Sequence, residues 1–147
     1  MCEEKKDRER GCVCEVVRFI HNLQSQVKPD PRKVHGCTRP TLDDDCHDKN
    51  NTRPFVLYLK DGSLFKAFFE HDSLILRSPI FRVEKIDGCC ALLRVLRIVP
   101  EPNAKEADIT VAFSRDVKLA KTDSFITVDL NCFCGIQCLE DRKIKGI

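Results

Sequence analysis

Two hydrophobic grains run along this chain, and they change over near residue 52. In "GCVCEVVRFIHNLQSQV", Val13, Val16, Val17, Ile20, Leu23 and Val27 recur at helical spacing and form one stripe. Cys12 and Phe19 fall on a flank of that stripe. Cys14 lies about 130° from its centre, at 100° per residue, so the pattern points it at solvent. Two prolines in "KPDPRK" end the helix, since proline removes a donor and biases its predecessor toward extended backbone.

From Thr52 onward the alternation becomes that of strands. "PFVLYLKDGSLFKAFF" is two apolar runs around Asp61–Gly62, a hairpin signal. "IFRVEKI" alternates, and Asp87–Gly88 then turns the chain into "CCALLRVLRIV", apolar enough on both faces for a strand covered on both sides. "PEPNAKEA" is a loop, "DITVAF" a strand, "VKLAKTD" an ambiguous edge and "SFITVDL" the last clear strand. The expected fold is mainly β with an N-terminal helix, built as an antiparallel β-sandwich or open barrel. Its expected parts are a charged arm (1–11), an amphipathic helix (12–27), a polar connection (28–51), a β-rich assembly domain (52–141) and a short tail (142–147).

Composition narrows the function. A chain of 147 residues buries a core without covalent staples. Its charge balance of +2 supplies no field for nucleic acid or an anionic membrane, and no Trp and one Tyr leave few platforms for bases. The first residues are charged and lack the apolar core of a secretory signal, and no run reaches the length of a membrane span. Neither nucleic acid nor a membrane is expected as a partner.

The ten cysteines are what the totals leave to explain. Zinc sites favour paired C-x(2–4)-C knuckles, and of the spacings here only Cys134–Cys138 fits easily. A zinc-stabilised protein-binding module is therefore the alternative reading. No C-x-x-C opens a helix, where a thiolate would be stabilised, so an oxidoreductase ranks lower. Of the histidines, His21 lies in the helix and His35, His47 and His71 in polar connections, where a solvated imidazole is the default. The acidic run Asp43–Asp45 lacks the alternation of a calcium loop. No catalytic residue, cofactor or metal is expected. Adjacent Cys89 and Cys90 are expected as small buried hydrophobes on opposite faces of a strand. The other thiols sit in the arm, helix start, long connection and last strand. That scatter suits bonds between subunits better than a compact internal framework. In order, the cross-linking candidates are Cys132, Cys134 and Cys138, then Cys12 and Cys14, then Cys2, Cys37 and Cys46.

Four segments resemble one family. "CVCEVVRFIHNLQ", "NTRPFVLYLKDGSLFKAF", "SPIFRVEKIDGCCALLRVL" and "TVDLNCFCGIQCLED" are similar, in order, to the CotY/CotZ/ExsY group of spore coat and exosporium proteins of Bacillus and its relatives. The resemblance implies a structural protein and no enzyme. It implies synthesis in the mother-cell cytosol and assembly into the outermost spore layer, the crust or exosporium basal layer. The implied form is a hexameric, two-dimensional hexagonal lattice locked by disulfides. Implied partners are further copies, sibling coat proteins and anchored surface glycoproteins with collagen-like stalks. The chain departs from the group at Lys33, Leu76 and Phe125, where other members carry cysteine.

Overall fold

The computed structural model describes residues 11–25, 37, 42, 50–99 and 117–147. The expected arm, most of the connection, Cys2, Cys46, Val27, the loop "PEPNAKEA" and the strand "DITVAF" lie outside them.

Among the described residues, helix α1 (Cys12–Ser25) is followed by seven strands: β1 (Phe55–Leu59), β2 (Ala67–His71), β3 (Leu74–Ser78), β4 (Phe81–Asp87), β5 (Cys90–Val99), β6 (Lys118–Asp129) and β7 (Phe133–Cys138). Five form an antiparallel sheet in the order β6-β5-β4-β1-β7, and β2 and β3 form a separate ribbon. The ambiguous "VKLAKTD" and the clear "SFITVDL" are one strand, and it does lie at a sheet edge.

Edge strands β6 and β7 are joined by only the 3-10 turn Leu130–Cys132. Four Cα steps reach at most about 15 Å, whereas four flat inter-strand gaps would span about 19 Å. The sheet must therefore curl until its edges approach at that end. The sheet does not close on itself, and the arrangement is consistent with the expected antiparallel sandwich or open barrel; Leu130, in the connection between the edges, is buried.

The main core holds Phe55, Leu57, Phe81, Val83, Leu93 and Phe133, covered by Val13, Val17 and Ile20 of α1 and by Phe69 of β2. A second cluster lies on the other face: Val56, Ile80, Leu96, Ile98 and Leu119 beneath Leu139 and Ile144. Strand β5 serves both, with Ala91, Leu93 and Val95 turned inward and Leu96 and Ile98 outward. That explains its run of apolar residues on both faces. The tail is held to the start of the domain as well. Asn51 Nδ2 donates to the Ile144 carbonyl at 3.0 Å, and the Ile144 amide donates back to Asn51 Oδ1 at 3.0 Å.

The Asp61–Gly62 turn forms as expected, with Gly62 at φ 86° and its amide donating to the Leu59 carbonyl at 2.8 Å. The expected hairpin partner does not follow β1 into the sheet. After a single bridge between Tyr58 and Leu64, the chain leaves to make β2, which pairs with β3. Their two-residue turn, Asp72–Ser73, has positive φ at both positions (50° and 63°). Asn-Gly or Asp-Gly is the usual signal for that geometry, so "HDSL" gives little warning of it.

Candidate cross-linking site: a cysteine-rich pole

The curl of the sheet gathers three sequence-distant pieces at one end: the start of α1, the β4–β5 turn and the β6–β7 connection. Asp129 fixes the last of these, accepting from the Asn131 amide at 2.9 Å. Asn131 Oδ1 in turn accepts from the Gly11 amide at 3.4 Å, which seats the helix start beside Cys132. The Leu130 amide donates to the Cys89 carbonyl at 2.9 Å, and Arg18 Nη1 donates to the Gly88 carbonyl at 2.9 Å. Cys12, Cys14, Cys89, Cys90, Cys132 and Cys134 all belong to this pole.

Two of them are bonded to each other. Cys14 and Cys89 form a disulfide with Cα atoms 5.4 Å apart, within the span such a bond allows. This corrects the expectation that Cys14 faces solvent: it is fully buried. The apolar stripe of α1 is buried as its spacing predicts, but the β4–β5 turn covers the neighbouring flank too, so the buried arc extends to Cys14.

Cys89 and Cys90 also differ from the expected pair of buried free thiols. The two-residue turn Gly88–Cys89 places Cys89 before the strand begins, where it reaches the helix. Cys90 opens β5 opposite Asp129 and is itself disulfide-bonded. Both are half-buried.

Three cysteines at the pole are exposed and unbonded: Cys12, Cys132 and Cys134. Cys132 and Cys134 flank Phe133, whose ring is buried against Phe65 with centroids 5.1 Å apart. Anchoring Phe133 inward leaves the residues on either side outward. Cys134 Sγ donates to the Leu59 carbonyl at 2.9 Å, which ties it to the β1 end.

The remaining described cysteines lie at the far end of β7. Cys37 and Cys138 are bonded, with Cα atoms 5.5 Å apart. Arg53, buried beside them, donates from Nη1 to the Cys37 carbonyl at 2.8 Å and makes a two-point contact with Asp141. Cys14, Cys37 and Cys138, expected as links between subunits, are thus held within the chain. The two bonds join residues 75 and 101 positions apart, and no spacing pattern announces such pairs.

The sulfur inventory also weighs against a zinc module. The Cys134–Cys138 spacing loses Cys138 to the bond with Cys37. Among the described residues no group of three or more His, Cys, Asp or Glu could hold a metal ion. His71 contacts Asp72 at 3.2 Å, and the His21 carbonyl accepts from the Ser25 hydroxyl at 2.9 Å.

A family profile described as "Spore coat protein Z" matches residues 1–141 of the chain. The chain belongs to the spore coat protein Z family. It is 33% identical over 144 residues to spore coat protein Z of Bacillus subtilis (strain 168), a match covering 92% of this chain and 93% of that protein. No solved structure matches. Family membership supports a structural role in the spore coat, at the spore surface and in contact with other coat components. No helix among the described residues is long and apolar enough to cross a membrane.

Proposed function

We propose that this chain is a building block of the outermost spore layer, crust or exosporium. In this reading it assembles with itself into a two-dimensional, hexagonal lattice, and disulfides between subunits then lock that lattice. The observation that supports it is the division of labour among the sulfurs. Five described cysteines are bonded, while Cys12, Cys132 and Cys134 stand exposed and unbonded on one pole.

Timing follows from compartment chemistry. A reducing mother-cell cytosol keeps thiols free, so subunits sort reversibly. Once the cell lyses, low-molecular-weight disulfides can act as oxidant. A thiolate of one subunit attacks such a disulfide and releases one small thiol. A thiolate of a neighbour then attacks the mixed disulfide and releases the second. Two protein thiols become one bond, and the small disulfide takes up the two electrons and two protons. A subunit held by several such bonds escapes only when all are broken, so the gain is chiefly kinetic. Sibling coat proteins and anchored glycoproteins with collagen-like stalks would dock on the same layer. No step of this function requires catalysis.

Electron microscopy of the purified chain tests the reading, combined with electrophoresis without reductant. Ordered sheets or hexagonal particles and a high-mass ladder that collapses with dithiothreitol are expected. A monomer indifferent to oxidant would sink it.

A further inference from the structure

The pole carries exposed thiols and a disulfide together, and the two sulfurs of that disulfide are unequal. Cys14 is 0% exposed and belongs to the main core with Val13 and Val17. Cys89 sits in the β4–β5 turn, half-buried at the rim of the same core. A thiolate opens a disulfide by attacking one of its two sulfurs, and access decides which. The path to Cys14 runs through packed side chains, whereas Cys89 is reached from the turn. The bond therefore opens in one sense. The incoming sulfur joins Cys89, and Cys14 leaves as a thiolate that takes a proton from water.

The fold keeps the released thiol at hand. Arg18 Nη1 still holds the Gly88 carbonyl at 2.9 Å, and the Leu130 amide still holds the Cys89 carbonyl at 2.9 Å. The Gly88 carbonyl also lies 3.6 Å from Cys14 Sγ, placed to accept from its S–H. With the two Cα atoms 5.4 Å apart, Cys14 attacks the mixed disulfide within one molecule and expels the incoming thiol. Each direction breaks one S–S bond and forms one, so neither needs an oxidant or a reductant.

We propose that Cys89 is a reversible exchange site for external thiolates, with Cys14 as its buried resolving thiol. The proposal rests on the self-assembly reading only where the external thiolate is taken to be Cys12, Cys132 or Cys134 of a neighbouring copy. Links made at Cys89 are undone by Cys14. Links between two exposed thiols have no such counterpart, because every unbonded cysteine among the described residues is exposed. Misplaced links at Cys89 are thus shed while those between exposed thiols accumulate.

Trapping tests it. A background with Cys12, Cys132 and Cys134 changed to Ser isolates the pair, and each chain is placed in a buffer of glutathione and its disulfide. After acid quenching, peptide mass spectrometry locates the adduct. Cys14→Ser should accumulate one glutathione on Cys89, since nothing remains to expel it. Cys89→Ser should leave Cys14 unmodified. The background chain should carry about tenfold less adduct than Cys14→Ser or lower still, because an intramolecular thiol outcompetes a dissolved one. Glutathione on Cys14 in folded Cys89→Ser, or none on Cys89 in Cys14→Ser, overturns the proposal. Where circular dichroism shows either variant unfolded, the intact pair decides. Brief treatment with glutathione and an acid trap should then give the adduct on Cys89 beside a free Cys14, and an adduct on Cys14, or none, excludes the assignment.

The second copy is tested separately. Cys14→Ser background chain loaded with glutathione on Cys89 is mixed with wild-type chain, whose exposed thiols are free. Release of glutathione and a covalent pair joined at Cys89 are expected. Glutathione exchange without a covalent pair would limit Cys89 to small thiols and overturn the neighbour's part. If the glutathione arm fails while the wild-type ladder still forms, the exchange site is excluded and the self-assembly reading stands.

Discussion

Arg53 and Asp141 face each other 88 residues apart in sequence, through Nε–Oδ1 at 2.8 Å and Nη2–Oδ2 at 3.1 Å. Both side chains are 1% exposed. Around this pair the molecule closes. The Arg53 amide donates to the side-chain carbonyl of Gln24 from α1 at 3.0 Å, and its guanidinium also holds the Cys37 carbonyl. Helix, connection, first strand and C-terminal segment therefore meet at one arginine.

Breaking a buried pair leaves the remaining charge without its counter-ion and shielded from water. Asp141→Ala is expected to destabilise the monomer by about 3–5 kcal/mol. Guanidinium denaturation of the alkylated protein measures it. A loss below about 1 kcal/mol would show that the pair is not what closes the domain.

A second charged cluster sits on the outer face of the sheet. Arg82 and Arg94 are directly opposite across β4 and β5, an arrangement of like charges that is unfavourable by itself. Glu84 accepts from Arg82 Nη1 and from Arg94 Nε, each at 2.8 Å. Burial pushes the Arg82 guanidinium below its ordinary pKa, Glu84 pulls it up and Arg94 pushes it down again. Arg94 also lies 4.4 Å from the centre of the Phe125 ring. Replacing Glu84 by Gln removes the clamp and keeps its shape. A loss of about 1–3 kcal/mol is expected, and it should shrink when Arg94 is also changed to Leu. A double-mutant cycle with zero coupling would contradict this account.

Cys14–Cys89 closes 75 residues of chain. In the chain-entropy account that is worth about 4 kcal/mol. The variant with both changed to Ser should lose stability of that order as a monomer and keep its ability to form intermolecular bonds. Unchanged monomer stability would mean that the bond does not form in solution.

The exposed thiols have the opposite profile. Under native conditions iodoacetamide should label Cys12, Cys132 and Cys134, and peptide mapping should find Cys14, Cys37, Cys89, Cys90 and Cys138 unlabelled until reductant is added. Changing all three exposed cysteines to Ser should thin the high-mass ladder without shifting the monomer's denaturation midpoint. A Cys12–Cys132 bond within one chain, found by the same mapping, would argue that the pole closes on itself.

The sequence by itself determined the elements that rest on local periodicity. The stripe of α1 follows from Val13, Val17 and Ile20, β4 from the alternation in "IFRVEKI", and both glycine turns from Asp61–Gly62 and Asp87–Gly88. These signals act between residues a few positions apart, so letters alone carry them. Four similar segments also point to the family. Tertiary structure alone decided which sulfurs are neighbours. Cys14 faces outward on an isolated helix and is buried because a turn from β4–β5 covers its flank. By spacing, Cys138 forms one cluster with Cys132 and Cys134. In the fold it lies at the other end of β7, whose 6 residues of extended strand carry it away from them. Disulfides and interfaces depend on distances between remote segments, and those distances exist only once the sheet has curled.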